Sequence, residues 1–69
     1  MQNNVKQCRK EIKLTQEQVA KWCGVTRQTI ISIESGKYVA SLPLALKLAR
    51  LFHRHVDEIF ILEDKRNGK

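Results

Sequence analysis

Residues 14–36 read LTQEQVAKWCGVTRQTIISIESG and open with the start signal of a helix. Thr15 and Gln18 form a capping box, in which the Thr15 hydroxyl accepts from the amide of Gln18 and the Gln18 side chain reaches back. This helix, helix 2 of the chain, is predicted to run from about residue 16 to Cys23. It ends there because Gly24 supplies the left-handed residue that closes many helices.

A second helix start follows only two residues later. Thr26 is the predicted N-cap of helix 3, which runs from about residue 27 to residue 35 and stops at Ser35-Gly36. Two helices joined by Gly24-Val25-Thr26 cannot lie side by side as a hairpin, because the connection is too short. A turn of this length fits the steep crossing of a helix-turn-helix.

Helix 3 has an unusual outward face. At about 100° per residue, Ile30 and Ile33 point inward, towards a core. The opposite and flanking positions carry Arg27, Gln28, Thr29, Ile31, Ser32 and Ser35. A plain solvated helix would carry Glu and Lys there, whereas this face lacks the acidic groups that phosphates would repel. Gln matches adenine, Arg matches guanine or a phosphate, and an outward Ile can touch a thymine methyl, so the face predicts contact with DNA.

Three further helices complete an all-α chain. Their apolar positions are Val5, Cys8 and Ile12 in helix 1; Leu44, Ala45, Leu48, Ala49, Leu51 and Phe52 in helix 4; and Val56, Ile59 and Phe60 in helix 5. Asn3 or Asn4 can cap helix 1, and Ser41 can cap helix 4. We expect a single helix-turn-helix domain over residues 1–69, in which residues 63–69 form a polar tail.

Charge is distributed unevenly along the chain. The 69 residues carry 13 Lys and Arg against 7 Asp and Glu, a net charge of +6. Residues 1–54 hold ten of the basic and three of the acidic side chains, while residues 55–69 hold three and four. A basic body of this kind indicates a polyanionic partner, with nucleic acid favoured over an anionic membrane surface.

Several other classes of protein do not fit. No run approaches the roughly 20 apolar residues of a membrane span, and no secretory signal opens the chain, so a cytoplasmic protein is expected. Cys8, Cys23, His53 and His55 lack the spacing of a zinc site, and both cysteines lie at apolar positions that predict buried thiols. No nucleophile, base and acid set and no glycine-rich phosphate loop is present, so we expect no enzyme, cofactor, metal or small-molecule ligand.

Five segments in order resemble the Cro/phage-repressor-type helix-turn-helix family, the Xre-like regulators. The matching segments are Leu14–Ala20, Gly24–Ile30, Ile33–Tyr38, Leu44–Ala49 and Val56–Phe60, within a resemblance that covers about residues 4–62. The resemblance implies a compact, lambda-repressor-like bundle of five helices. In this fold helix 3 lies in the major groove, while the start of helix 2 sits against the DNA backbone.

The resemblance also assigns roles to individual side chains. The implied base contacts are Arg27, Gln28, Thr29 and Ser32, and the implied phosphate contacts are Gln16, Ser35 and Lys37. Arg9 of helix 1 and Glu34 of helix 3 occupy the places of an ion pair that is frequent in the family. Both lie on the shoulder of the predicted core, where a half-buried pair would register the two helices.

Three positions depart from the family pattern. Lys13 stands where many relatives have Gly, and a lysine is strained at positive φ, so we expect helix 1 to end in a different way. Trp22 replaces a polar residue and is predicted to lie off the core, as a semi-exposed surface residue in preference to a dimer contact. Ile31 replaces a small polar residue on the face predicted to meet DNA.

The favoured interpretation is a transcriptional regulator of double-stranded DNA, a repressor that binds a two-fold operator as a dimer. The half-sites would then lie about 34 Å apart, one turn of DNA. Leu46, Ile61 and Leu62 are candidates for the dimer interface, although packing of Ile61-Leu62 onto the body is an equal alternative. The wide apolar arc of helix 4 also permits an antitoxin-like or coactivator-like protein-interaction module with secondary DNA binding.

Overall fold

The computed structural model describes residues 1–62, which form five helices and one short pair of strands. The elements are β1 (Gln2–Asn3), α1 (Val5–Glu11), α2 (Gln16–Cys23), α3 (Arg27–Glu34), α4 (Leu42–Phe52), α5 (Val56–Ile59) and β2 (Phe60–Ile61). The predicted five-helix fold, with a helix-turn-helix formed by α2 and α3, is confirmed. The predicted tail over residues 63–69 lies outside the described residues.

Side-chain caps begin the three longer helices at the predicted positions. The hydroxyls of Thr15, Thr26 and Ser41 accept from the amide three residues later, at 3.0, 3.3 and 3.3 Å. The Gln18 Oε1 atom accepts from the amide of Thr15 at 2.8 Å, which completes the capping box. The start of each helix is therefore fixed by its own local sequence.

The ends of α1 to α4 share one hydrogen-bond pattern, the Schellman motif. The amide of a left-handed residue donates to the carbonyl three residues earlier, and the next amide donates to the carbonyl five residues before itself, over 2.9–3.4 Å. The left-handed residues are Lys13 (φ 60°), Gly24 (φ 76°), Gly36 (φ 83°) and His53 (φ 56°). Four helix ends are thereby closed in the same way, two of them without glycine.

The expectation that helix 1 would avoid this ending is wrong. Lys13 adopts the left-handed conformation, and its amide donates to Lys10 O at 3.0 Å while the amide of Leu14 donates to Arg9 O at 3.1 Å. The Arg9 Nη1 atom also donates to Leu14 O at 2.9 Å. These bonds offset a left-handed cost of about 1–2 kcal/mol.

The core receives side chains from every helix. The side chains with less than 2% exposure are Val5, Val19, Cys23, Ile30, Ile33, Leu48 and Ile59. Cys8 is also buried, and both cysteines are free thiols, as the sequence predicted. Burial raises the pKa of both thiols, because the thiolate would lose its hydration.

The strand pair was not predicted. In the antiparallel pairing Gln2 lies opposite Ile61 and Asn3 lies opposite Phe60, and the amide of Asn4 donates to Ile59 O at 2.7 Å. The Asn3 Oδ1 atom accepts from the amide of Val5, the first residue of α1, at 3.1 Å, whereas the N-cap residue Asn4 forms no side-chain cap bond. Two-residue strands that pair across the whole chain leave no periodic signal in the sequence.

Candidate nucleic-acid interface

The orientation of α3 is fixed by two buried side chains. Ile30 and Ile33 are completely buried in the core. Arg27 and Gln28 consequently point to solvent, and within residues 1–62 neither side chain forms a hydrogen bond or an ion pair. Their guanidinium and amide groups are free to meet a ligand at the N-terminal end of α3.

The hydroxyl-bearing residues of α3 are partly engaged at its ends. The Thr29 hydroxyl lies 3.1 Å from the Thr26 hydroxyl, beside the helix cap, and the Ser35 hydroxyl donates to Ser32 O at 3.0 Å. Ser32 is partly buried and lies on the outward side of the helix with Ile31. Each hydroxyl keeps acceptor capacity, because a hydroxyl oxygen has two lone pairs.

The Glu34 carboxylate joins three helices. The Arg9 Nε atom donates to Glu34 Oε2 at 2.7 Å and Nη2 donates to Oε1 at 3.3 Å, while Gln16 Nε2 donates to the same Oε1 at 3.0 Å. The side chains of Arg9 and Glu34 are only 11% and 6% exposed. The ion pair is therefore shielded from solvent and fixes α1 against the end of α3, while the Gln16 bond holds the start of α2 to the same carboxylate.

A basic depression surrounds the start of α2. Its volume is about 580 Å³, and its lining includes Arg9, Lys13, Arg27 and Gln16, with Glu17 as the acidic member. The first amides of a helix have no carbonyl partner within the helix, and they carry the positive end of the helix dipole. This corner can therefore attract an anion such as a backbone phosphate.

The segment after α3 is held from two sides. The amides of Lys37 and Tyr38 donate to Ser32 O at 3.0 and 3.2 Å, and the Lys37 side chain is exposed. The Asn3 Nδ2 atom donates to Ile33 O at 2.8 Å, so the N-terminal strand braces the end of α3. This role of Asn3 was missed, because nothing local in the sequence indicates a contact 30 residues away.

Several apolar side chains lie outside this face. Leu46 is 52% exposed, Ile61 39% and Leu62 80%. Trp22 is 52% exposed, so its predicted position off the core is confirmed. The structure brings Trp22 beside Leu46 but places Ile61 elsewhere, next to Gln2.

Residues 1–62 contain neither a metal-binding cluster nor a membrane-spanning helix. No group of three or more His, Cys, Asp or Glu side chains in this range is arranged to hold a metal ion. No helix in the same range is long and apolar enough to cross a lipid bilayer.

Comparison with known families and structures agrees with this geometry. A family model described as helix-turn-helix matches residues 5–59. An uncharacterized helix-turn-helix-type transcriptional regulator of Methanocaldococcus jannaschii is 53% identical over 64 residues, covering 93% of this chain and 97% of the relative. A similarly named protein of Bacillus subtilis is 43% identical over 65 residues, covering 94% and 98%.

A solved structure has the same fold. The crystal structure of a restriction-modification controller protein from Aeromonas hydrophila superposes with a TM-score of 0.75 at 30% sequence identity. The match covers 83% of this chain and 86% of that one.

Proposed function

This chain belongs to the helix-turn-helix family, and on that premise we propose that it is a sequence-specific DNA-binding transcriptional regulator without catalytic activity. In this proposal α3 enters the major groove of double-stranded DNA. One observation supports it above all: α3 buries Ile30 and Ile33 completely while Arg27 and Gln28 remain exposed.

Base recognition is assigned to the outward face of α3. Gln28 can donate to and accept from adenine through one amide, and Arg27 matches guanine or a neighbouring phosphate. Thr29 and Ser32 add hydroxyls beside them, and the partly exposed Ile31 suits a thymine methyl. Gln28 and Arg27 are the two exposed side chains of this set that form no hydrogen bond within residues 1–62, so both are free to select a base.

Backbone contacts are assigned to the two ends of the motif. Gln16 lies in the basic depression at the start of α2, and its amide is oriented by Glu34. Ser35 and Lys37 follow α3, where they would bind phosphates on the other side of the groove. Together with a net charge of +6, these contacts supply affinity that does not depend on sequence and weakens in salt.

The chain would act as a homodimer on a two-fold site. Two copies of α3 would then enter successive major grooves about 34 Å apart. Leu46, Ile61 and Leu62 are the proposed interface residues because all three are exposed. Repression by occupancy is the simplest outcome of such binding, and it needs neither a cofactor nor a small-molecule ligand.

Selection of bound fragments from genomic DNA tests the proposal. We expect a recurring two-fold motif, and an affinity for it that falls steeply between about 50 and 200 mM salt. Random fragments should bind far more weakly and without a preferred position. Equal affinity for all fragments would rule out sequence-specific regulation.

A protein-interaction module is the second candidate function. It is favoured by the exposure of Trp22, Leu42 and Leu46, which are 52%, 69% and 52% accessible on α2 and α4. An antitoxin-like or coactivator-like chain would use such side chains to hold another protein. Stoichiometric co-purification of a different protein, with no selected DNA motif, would favour this function.

A further inference from the structure

A groove between α2 and α4 is not used by the proposed DNA interface. Its volume is about 370 Å³, and it is lined by Trp22, Leu46, Lys47 and Arg50. Trp22 and Leu46 are each 52% exposed. The Lys47 ammonium donates to Cys23 O at 3.3 Å, at the end of α2, so one basic wall is held in place.

The groove combines an apolar floor with positive charge. None of its four lining residues is acidic, and two of them are cations. A complementary occupant therefore offers apolar side chains followed closely by carboxylates, since the cations gain from opposite charge at their rim.

The chain itself carries a segment of this composition. Ile61 and Leu62 are 39% and 80% exposed, and Glu63 and Asp64 follow them directly in the sequence. Elsewhere the sequence has only one other pair of adjacent acidic residues, Asp57-Glu58, which lies inside α5. The segment Ile61–Asp64 is therefore the one whose order of apolar and acidic groups matches the groove.

Ile61, where the segment begins, lies at the opposite end of α3 from the groove of its own chain. Ile61 pairs with Gln2, and the amino group of Met1 donates to Gly36 O at 3.1 Å, so Ile61 lies near the C-terminal end of α3. The groove lies at the end of α2, which connects to the opposite end of α3.

The distance between Ile61 and the groove decides which copy of the chain supplies the segment. The eight residues of α3 span about 12 Å. Leu62 follows Ile61 directly and extends the chain by only about 3.3 Å. As long as Ile61 stays paired with Gln2, Ile61 and Leu62 can therefore meet Trp22 and Leu46 only on a second copy.

We propose that the groove formed by Trp22, Leu46, Lys47 and Arg50 receives the Ile61–Asp64 segment of a second copy of this chain. Each copy has one groove and one segment, so a reciprocal exchange closes into a two-fold dimer. Ile61 and Leu62 cover Trp22 and Leu46, and the two acidic residues face Lys47 and Arg50. This contact specifies the interface of the homodimer in the proposed function, and it rests on that proposed function.

Charge reversal on each side of the contact provides the test. The groove variant carries Arg50→Glu, and the segment variant carries Glu63→Lys with Asp64→Lys. Sedimentation velocity should show dimer formation at least about tenfold weaker for either variant alone, because like charges then meet. A 1:1 mixture of the two variants should dimerise again. In one of its two groove–segment contacts both partners are original and in the other both are reversed, so opposite charges meet in each.

Trp22 reports on the same contact, because it is the only tryptophan of the chain. Dilution that dissociates the wild-type dimer should move its emission to longer wavelength. Lys10→Glu is the control: it changes the charge by the same amount as Arg50→Glu, but at an exposed position of α1. It should leave dimer formation unaltered.

The proposal is overturned if the wild-type chain is monomeric, if both variants still dimerise normally, or if their mixture stays monomeric. Binding of each variant to a single DNA half-site distinguishes failure of this dimer contact from failure of the proposed DNA-binding function. Arg50 and the acidic segment are not among the proposed DNA contacts, so monomeric variants should still select the half-site sequence.

Discussion

Gln28 and Lys37 are proposed to contribute to DNA binding in two different ways. Replacing Gln28 with Ala should cost roughly 1–3 kcal/mol at the preferred site and relax the choice of one base pair. Replacing Lys37 with Ala should weaken binding to all sequences alike and lower the salt slope by about one. Binding titrations on a set of single-base variants of the selected site measure both effects.

An unchanged preference after Gln28→Ala would remove Gln28 from the base contacts. An effect of Lys37→Ala confined to one sequence would likewise contradict its assignment to a phosphate.

Two ion pairs of nearly equal length differ in burial. The Arg9–Glu34 pair is 2.7 Å long with side chains 11% and 6% exposed, whereas the Arg54–Glu11 pair is 2.8 Å long with side chains 45% and 46% exposed. Glu34→Ala should lower the free energy of unfolding by about 3–5 kcal/mol, because a buried guanidinium loses its partner. Glu11→Ala should lower it by less than about 1 kcal/mol, because water replaces the partner.

Urea denaturation of the two variants checks this comparison. Equal losses of stability would mean that burial does not govern the strength of these pairs. Glu34→Ala should also reduce DNA binding, because the Gln16 amide would no longer be oriented by the carboxylate.

At the scale of helices, the C-terminal ends of α1 and α4 have a less favourable backbone conformation than the capped starts of α2, α3 and α4. The starts of α2, α3 and α4 carry Thr or Ser caps whose hydroxyls accept from the amide three residues later. The ends of α1 and α4 instead hold Lys13 and His53 in the left-handed conformation, at φ values of 60° and 56°. Only glycine takes this conformation without a steric cost from Cβ.

Lys13→Gly and His53→Gly should therefore each raise the free energy of unfolding by about 1 kcal/mol. Lys13→Ala is the matched control, since it removes the charged side chain but keeps the strained Cβ, and it should give no gain. Thermal denaturation followed by circular dichroism measures all three variants. A lower melting temperature for both glycine variants would contradict a steric cost at these ends.

At the scale of the molecule, the strand pair joins the two ends of the described chain. Asn3 contributes most to this junction, because its side chain donates to Ile33 O at 2.8 Å and accepts from the amide of Val5 at 3.1 Å. Asn3→Ala should lower stability by about 1–2 kcal/mol through loss of both bonds. Gln2→Ala, an exposed position of the same strand, should change it little.

Hydrogen exchange gives the second measurement for this junction. Amides at the end of α3 should exchange faster in Asn3→Ala than in the wild type. Unchanged exchange there would show that the strand does not brace α3.

Burial of the two thiols predicts a dependence on pH. Burial raises the pKa of Cys8 and Cys23 in the folded chain, so their contribution to stability is complete below the ordinary thiol pKa of about 8.5. It is lost as the pH rises above that value, because the unfolded chain then ionises its thiols first. The stability difference between wild type and the Cys8→Ala, Cys23→Ala double variant should narrow in alkaline buffer, as urea denaturation at several pH values can show.

The sequence by itself determined the local features of this protein. Thr15, Gly24 and Thr26 act within one turn of their own positions, so the two helices of the motif and their junction were predicted from short segments. The spacing of Ile30 and Ile33 likewise fixed which edge of α3 faces outward, and with it the exposure of Gln28.

Only the tertiary structure decided the features that depend on three-dimensional contacts. The hydrogen bond from Gln16 to Glu34, the bracing of α3 by Asn3 and the groove beside Trp22 each join segments far apart in the chain. Lys13 shows the same limit in a local setting. Its left-handed conformation is unfavourable for lysine alone, and local hydrogen bonds around Arg9 and Leu14 hold it there. The Arg9 guanidinium that bonds Leu14 O is itself held by Glu34 of α3, a contact that forms only when the helices pack.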